Sequence, residues 1–224
     1  MKIVFDSGVL ISFSETCTLS LFKDLKDAIG EFVITENVKY ECVLRVEHIM
    51  RFKLSAIRID REIKDNIFSI ASSSSQLKEN TTKIMDLTNN MFLVRKQPIK
   101  IIQSGEAECL ALLGLTDADY LAVDERTTRM LVEQPHSLID IFKRKYNTND
   151  VHLDEDKYVK FRELIGPVSV LRSVDLFAYA HKHNLLASDF TSPENIKAVM
   201  YALKIKGCSV SFQEIDEYIS SLYK

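Results

Sequence analysis

The chain is predicted to be an α/β protein, a three-layer α/β/α sandwich with a central parallel sheet. Short apolar runs alternate with longer segments of helical periodicity, and this order favours parallel strands joined by crossover helices. Its 224 residues, 46% of them apolar, suffice for one generous core. Charged residues make up 27%, near the globular average of about 25%, which argues against a mainly disordered chain. We therefore expect a single domain over 1–224.

Five short apolar runs are the candidate strands of the sheet. Each is bounded by polar or turn-forming residues, which is typical of buried parallel strands. Two of the runs end directly on an aspartate. The predicted strands are 2–5, 32–34, 99–102, 120–123 and 168–171.

Segments with apolar residues at intervals of three and four are the candidate helices. The first, 7–28, is expected to break into two helices at 16–18 and to end before Gly30, because glycine commonly follows a helix end. Thr35 and Ser104 are candidate N-caps. The other predicted helices begin at about 35 and 106 or span 126–133, 174–186, 196–206 and 214–222.

Two segments are longer than the predicted sheet requires, and we expect them to be insertions. Residues 49–98 are predicted to be mainly helical, with a bend at the serine run 72–75. Residues 133–166 are polar and charged. They precede the last strand, where they could gate or obstruct a site at the edge of the sheet.

The composition limits the partners and the cellular compartment that we expect for the chain. The chain has no stretch of about 18 apolar residues, so no membrane span is predicted. Its four cysteines form no C-x-x-C pair, which disfavours a zinc ribbon and fits a reducing cytoplasm. The net charge is −3, so contact with nucleic acid would depend on a local patch. Arg126 and the basic residues of 45–64 are candidates, although such a run is more commonly a solvated helix face.

Four carboxylates are predicted to meet at one edge of the sheet. Asp6 and Asp124 directly follow two strands, and the carboxyl ends of parallel strands share the edge where ligands bind. Glu106 begins the helix after another strand, and Glu41 lies about two turns into the helix after the second. Converging carboxylates repel one another, and Mg²⁺ or Mn²⁺ is the usual remedy. Such a site suits metal-assisted attack of water on a phosphodiester.

Each acidic residue also has a purely structural interpretation. An aspartate after a strand often serves as a helix N-cap. Glu41 could be a solvated helix residue, and Glu106 could complement the helix dipole. Glu106 and Glu108 point about 200° apart around a helix, so only one of them can face the crevice.

Four stretches of the chain resemble the motifs of the PIN-domain family, metal-dependent ribonucleases that include the toxins of many prokaryotic toxin–antitoxin pairs. The family's opening strand and first metal-binding aspartate resemble Ile3-Val-Phe-Asp6-Ser-Gly-Val-Leu-Ile. Its second acidic motif resembles Val38-Lys-Tyr-Glu41. Its third and fourth motifs are similar to Gly105-Glu106-Ala-Glu108 and to Ala118-Asp-Tyr-Leu-Ala-Val-Asp124-Glu-Arg126. Each motif alone is weak, but the four occur in the family's order and cover about 1–48, 100–132 and 167–224.

The resemblance implies an endoribonuclease that hydrolyses RNA phosphodiester bonds. Asp6, Glu41, Glu106 and Asp124 would be both its catalytic residues and its ligands for Mg²⁺ or Mn²⁺. When the third motif is aligned with the family's helix, Glu106 rather than Glu108 falls on the ligand position, and Glu108 would face a neighbouring cation. The implied partners are an RNA substrate, a small antitoxin protein and a second copy of the chain as a homodimer, in the cytoplasm and away from membranes.

Two questions stay open at this level. Many PIN nucleases place a Thr or Asp after the last strand, and both Ser173 and Asp175 lie near that point. The alternative to catalysis is a non-catalytic PIN-like module that binds RNA or protein, with the two insertions as its docking surface. Whether 133–166 covers the carboxylate crevice would help to discriminate the two functions.

Overall fold

A five-stranded parallel sheet forms the centre of the protein. The computed structural model describes residues 1–222, except for the side chain of Asp189. Helices flank the sheet, so the predicted three-layer α/β/α architecture is confirmed. The strands of the sheet are β1 (Lys2–Phe5), β2 (Glu31–Ile34), β3 (Ser69–Ile70), β6 (Tyr120–Ala122) and β8 (Ser169–Leu171).

The helices follow the predicted alternation with the strands. A π-helical turn, Tyr40–Leu44, continues α3 and carries Glu41. The helices are α1 (Ser7–Glu15), α2 (Leu21–Ile29), α3 (Glu36–Lys39), α4 (Met50–Lys64), α5 (Ser75–Met91), α6 (Ser104–Thr116), α7 (Arg126–Glu133), α8 (Pro135–Tyr146), α9 (Glu155–Ile165), α10 (Ser173–Lys182), α11 (Pro193–Ile205) and α12 (Phe212–Ser221). The predicted break between α1 and α2, the end at Gly30 and the Thr35 cap are confirmed.

The order of the strands places the site. Strands run β3-β2-β1-β6-β8 across the sheet, so the chain extends in one direction from β1 and then in the other from β6. Such a reversal opens a crevice at the carboxyl ends of the two central strands. Asp6 follows β1 and Asp124 lies two residues beyond β6, so both aspartates emerge at this crevice.

Aromatic packing supports the sheet beneath Asp6. The Phe5 ring lies 4.9 Å from the Phe32 ring and 5.3 Å from the Phe68 ring, between centroids. Both partners are buried. Aromatic pairs at such distances contribute about 0.5–1.5 kcal/mol beyond the burial of their area. The end of β1 is therefore a rigid support for the carboxylate that follows.

The predicted insertions pack against each other through a second, antiparallel sheet. This sheet consists of β4 (Phe92–Val94), β5 (Gln97–Pro98) and β7 (Val151–Leu153), in the order β5-β4-β7. Strand β7 belongs to 133–166, yet it pairs with β4 of 49–98. Phe142 and Phe161 are buried in the same core as the central sheet. Segment 133–166 is therefore polar on its surface and packed on its inner side.

The predicted strand at 99–102 is wrong. The Ile99 N–H donates to the Phe92 carbonyl of β4, but the backbone of Ile101 and Ile102 bonds to a side chain instead of a strand. Asn89 Oδ1 accepts hydrogen bonds from the N–H groups of Ile101 and Ile102, and Asn89 Nδ2 donates to the Ile102 carbonyl. Because buried backbone groups need partners, one asparagine of α5 here replaces a strand ladder.

Two further expectations need correction, and one strand of the sheet was not predicted. Gln103, not Ser104, is the N-cap of α6, and its backbone N–H donates to the Glu106 carboxylate in the first turn. The helix predicted to extend to 186 ends at Lys182, before Asn184 takes a left-handed conformation with φ of 58°. Strand β3 was not predicted, because two residues are too short for a period to show.

Candidate active site

Asp6 is the central residue of the acidic rim. Its carboxylate caps α1 by accepting a hydrogen bond from the Gly8 N–H at 3.1 Å, so the structural interpretation of this residue is correct as far as it goes. The side chain is nevertheless buried. Desolvation by burial is the main cause that raises its pKa from 3.8 to about 6, and the charges of Glu41 and Asp124 raise it further.

Asp124 is held differently, by donors on both oxygens. The Ser12 hydroxyl donates to Oδ2 at 2.8 Å, and the Ser173 backbone N–H donates to Oδ1 at 2.8 Å. The cap of α7 is Glu125, so Asp124 is not the helix cap that its position after a strand suggests. Both oxygens of this buried carboxylate therefore have a hydrogen-bond donor, and the two donors fix its orientation.

Glu106 lies in the first turn of α6 and faces the same rim. Its Oε2 accepts the hydrogen bond of the Gln103 N–H in the capping box. Burial is the first cause that raises the pKa of this carboxyl to about 7, and the charges of Asp6 and Glu125 raise it further. The residue therefore caps its helix and also carries a charge that its surroundings disfavour.

Glu41 reaches the rim from the π-helical turn. A Cβ atom added to Gly105 would lie only 2.9 Å from Glu41 Oε1 and 3.0 Å from Asn37 Nδ2. The absence of a side chain at 105 thus lets Glu41 lie against the first turn of α6, one residue from Glu106. The Glu41 charge also raises the pKa of Asp6.

The structure thus brings the four predicted carboxylates to one rim with Asp6 at its centre. Asp6 interacts electrostatically with Glu41, Asp124 and Glu106. Across residues 1–222, none of the four forms an ion pair within 4 Å. Within the same residues, no group of three or more His, Cys, Asp or Glu side chains is arranged to hold a metal ion. The rim gathers negative charge without a preformed coordination cage.

Two residues outside the predicted set, Glu125 and Ser12, support the rim. Glu125 interacts with Glu106, and its own carboxylate caps α7 through the Thr128 N–H at 2.6 Å. Its position directly after Asp124 was the available signal. Ser12, which donates to Asp124, lies 112 residues away along the chain, and no local pattern pairs the two.

The open alternatives are partly resolved by contacts. Ser173 contacts the acidic rim through its backbone N–H, which donates to Asp124, whereas Asp175 pairs with Arg172 at 2.9 Å. Glu108 has a buried Oε2 without a hydrogen-bond partner in the described chain. It also forms no ion pair there, so the cation expected beside it is not found.

A cavity of about 360 Å³ opens beside Glu41. Its walls come from α1, the π-helical turn and the first turns of α4, with Gln103 at its margin. Glu41 is the only one of the four carboxylates that lines it. None of its lining residues belongs to 133–166, a fully described segment, so that segment leaves the Glu41 side of the rim open.

Comparison with other proteins adds no further assignment. The chain gives no significant match to a family model, to a curated protein or to a solved structure. Among the described residues, no helix combines the length and the apolar character needed to span a membrane.

Proposed function

We propose that the chain is a metal-dependent endoribonuclease of PIN-like type that hydrolyses RNA phosphodiester bonds at the acidic rim. The excess of negative charge at Asp6 is the observation that carries this proposal. Its carboxylate is buried beside three others, its pKa is raised to about 6, and no cationic side chain of residues 1–222 pairs with it. Buried charge without a partner is uncommon in proteins and is typical of functional sites.

The donor set fits a hard divalent cation, Mg²⁺ or Mn²⁺. Asp6, Glu41, Glu106 and Asp124 would hold the ion through carboxylate oxygens, which both metals prefer. Asp124 accepts two hydrogen bonds, whereas an ionised carboxylate offers about four lone-pair positions, so capacity for a cation remains. When bound, the metal would activate water and balance charge on the scissile phosphate.

The protein's own contribution is positioning. Asp6 and Asp124 follow adjacent strands, so the hydrogen-bonded sheet fixes the distance between their backbones. Ser12 and Ser173 orient the Asp124 carboxylate. Arg126, exposed in the first turn of α7 and two residues beyond Asp124, is placed to contact a phosphate of the RNA.

Cleavage of a labelled single-stranded RNA tests the proposal. The purified chain should cleave it with Mn²⁺ or Mg²⁺ and stop when EDTA removes the metal. Asp6→Asn should abolish cleavage, because a neutral amide cannot supply the charge that attracts the cation. Glu106→Gln should do the same while keeping the helix cap, since the amide oxygen can still accept from the Gln103 N–H.

Glu108→Gln is the matched control, because it removes a carboxylate on the same helix that points about 200° away. It should keep most of the activity. Equal loss in both glutamine variants would contradict the assignment of Glu106 alone. RNA cleavage that persists in purified Asp6→Asn would show that the acidic rim is not the catalytic site.

A second candidate is a non-catalytic module that binds RNA or protein. Two observations favour it: the rim lacks a preformed group of three metal ligands in the described chain, and Glu106 uses one oxygen to cap its helix. This function predicts RNA retention in EDTA without cleavage in any metal. A gel-shift assay and a cleavage assay on the same RNA separate the two candidates.

We also propose an antitoxin protein or a second copy of the chain as partners, on the PIN-like resemblance alone. We propose a cytoplasmic location because all four cysteines are free thiols, as expected in a reducing compartment.

A further inference from the structure

Helix α4 has two apolar faces on opposite sides. Its inner face carries Ala56 and Ile59, which are 2% and 0% exposed. Its outer face carries Met50, Leu54 and Ile57, which are 80%, 57% and 58% exposed. At 100° per residue, the outer three fall within about 60° of one another and about 150° from the inner face. We call Met50, Leu54 and Ile57 the outer stripe.

A surface helix normally carries polar residues on the side opposite its buried face. Single exposed apolar side chains are ordinary, but a contiguous apolar patch marks an interaction surface. Three large aliphatic side chains on successive turns form such a patch. The pattern is that of a helix with a partner on each side, one of which is the core.

Unneutralised cations flank the outer stripe. Arg51 and Arg58 lie on one side of Leu54 and Lys53 on the other, by helical geometry. None of the three forms an ion pair within 4 Å in residues 1–222, whereas the next two cations of α4, Arg61 and Lys64, pair with carboxylates of the same helical segment. Arg58 donates to the Ser14 carbonyl at 3.2 Å, so Arg51 and Lys53 are the cations beside the stripe that are left for an anionic partner.

Grooves run along both sides of the stripe. One, of about 330 Å³, is lined by Arg51, Leu54 and Arg58, together with Lys206 of α11 and its ion-pair partner Glu15. The other, of about 280 Å³, is lined by Lys53 and Ile57 but also by Glu47 and Asp60. A helix laid on the stripe could place its apolar side chains on Leu54 and Ile57 and its carboxylates beside Arg51, on the side away from Glu47 and Asp60.

We propose that the outer stripe binds an amphipathic, acidic helix of another protein. Burial of the three aliphatic side chains would drive association, and carboxylates beside the partner's apolar stripe would pair with Arg51 and Lys53. A second copy of α4 is a poorer occupant, because it would bring the same cations together. RNA is also poorer, because the stripe holds no aromatic ring on which a base could stack. This surface does not depend on the proposed nuclease activity.

Two synthetic peptides test the proposal with the full chain. Both are about 18 residues long, long enough to cover α4, with leucine at helical spacing. One has glutamate and the other lysine at the flanking positions. By fluorescence anisotropy, the glutamate peptide should bind at least about tenfold more tightly than the lysine peptide. Leu54→Ser and Ile57→Ser should each weaken binding of the glutamate peptide by about tenfold.

Charge reversal gives the sharpest readout. Arg51→Glu combined with Lys53→Glu should reverse the preference between the two peptides. Val159→Ser, on α9 and equally exposed at 54%, is the matched control and should leave binding unchanged. Asp6→Asn should bind the glutamate peptide normally, so failure of the nuclease proposal is distinguishable from failure of this one. The substituted side chains are exposed, and a melting curve for each variant verifies that it folds.

Several results would overturn the assignment. One is equal binding of both peptides, and another is no binding of either at millimolar concentration. A dimer of the wild type that Leu54→Ser dissociates in sedimentation would identify a second copy as the occupant. Displacement of the glutamate peptide by a single-stranded RNA would identify a polynucleotide instead.

Discussion

Asp6 and Asp124 follow neighbouring strands at the same edge of the sheet, yet the fold surrounds their carboxylates with different partners. Both side chains are buried, at 7% and 3% exposure. Asp124 receives a hydroxyl and a backbone N–H, one on each oxygen, from α1 and α10. Asp6 receives the Gly8 N–H at one oxygen and lies beside Glu41 and Asp124, and its pKa is raised.

The difference separates two uses of a buried carboxylate. Donors on both oxygens of Asp124 satisfy the buried carboxylate and fix its orientation. The surroundings of Asp6 destabilise the ionised form, and they do so beside Glu106, whose pKa is also raised. The unfavourable charge of Asp6 and Glu106 can be neutralised only by a proton or a cation. We therefore expect Asp6 to respond to pH and to metal, and the contacts of Asp124 to contribute to stability.

The largest effect is expected from Asp6→Asn in metal-free buffer at pH 8. A pKa raised from 3.8 to about 6 corresponds to about 3 kcal/mol of lost stability in the ionised state, at roughly 1.4 kcal/mol per pH unit. Asparagine removes the charge and caps a helix about as well. The free energy of unfolding, measured in urea, should therefore be about 3 kcal/mol higher than that of the wild type.

The pH profile of the same pair checks the sign. Below pH 4 Asp6 is protonated in both the folded and the unfolded chain, so the two proteins should be about equally stable. Between about pH 4 and 6 the unfolded chain ionises first, so the wild type should lose stability as the pH rises. Above pH 6 the gap should stay constant. A gap that is independent of pH would show that Asp6 acts only as a helix cap.

The next effect is the response to Mn²⁺. Binding to the folded chain alone at a hundredfold excess over Kd adds about 2.7 kcal/mol. For a domain of this size the melting temperature should rise by roughly 5–10 °C. Asp6→Asn should lose most of this rise, and Glu108→Gln should keep it. Equal rises in melting temperature in the wild type and Asp6→Asn would contradict the contrast between Asp6 and Asp124, because Asp6 would then attract no cation.

The parts of the acidic rim that lie at strand ends could be predicted from the sequence. An apolar run followed by Asp6, and another followed by Asp124, predicted both positions, because parallel strands share one edge. The helix start at Glu106 was predicted from the apolar spacing that follows it, although the strand before it was wrong. That error arose because Asn89, in a different helix, satisfies the backbone of Ile101 and Ile102, and no local pattern contains that information.

The surroundings of each carboxylate could not be predicted from the sequence either, because they too depend on contacts from distant segments. Whether an aspartate is supported or strained depends on donors from distant segments, as Ser12 and Ser173 show for Asp124. The outer stripe of α4 was also missed, because its residues alternate with those of the buried face and together suggest only a helix. Fractional exposure, a tertiary property, distinguishes the two faces.

Ser12→Ala should have a smaller effect, a loss of about 2 kcal/mol in the free energy of unfolding at pH 8. The Ser12 hydroxyl donates to a buried carboxylate at 2.8 Å, and loss of one partner leaves a buried oxygen of Asp124 unsatisfied. Urea unfolding of the wild type and the variant measures the difference. No loss would indicate that water or another donor replaces the hydroxyl, and Asp124 would then be less firmly held than its contacts indicate.

The smallest effect is expected from Ser173→Ala, the counterpart of Ser12→Ala on the other oxygen. Ser173 supports Asp124 through its backbone N–H, and alanine keeps this donor at the same position in α10. Alanine also suits a helix slightly better than serine does. The free energy of unfolding should therefore change by less than about 0.5 kcal/mol, because the backbone donor to Asp124 is kept. Equal losses in the two alanine variants would mean that the Ser173 hydroxyl also supports the buried carboxylate. A loss in Ser12→Ala alone would establish that Asp124 is held by one side chain and one main-chain group, while Asp6 depends on a proton or a cation.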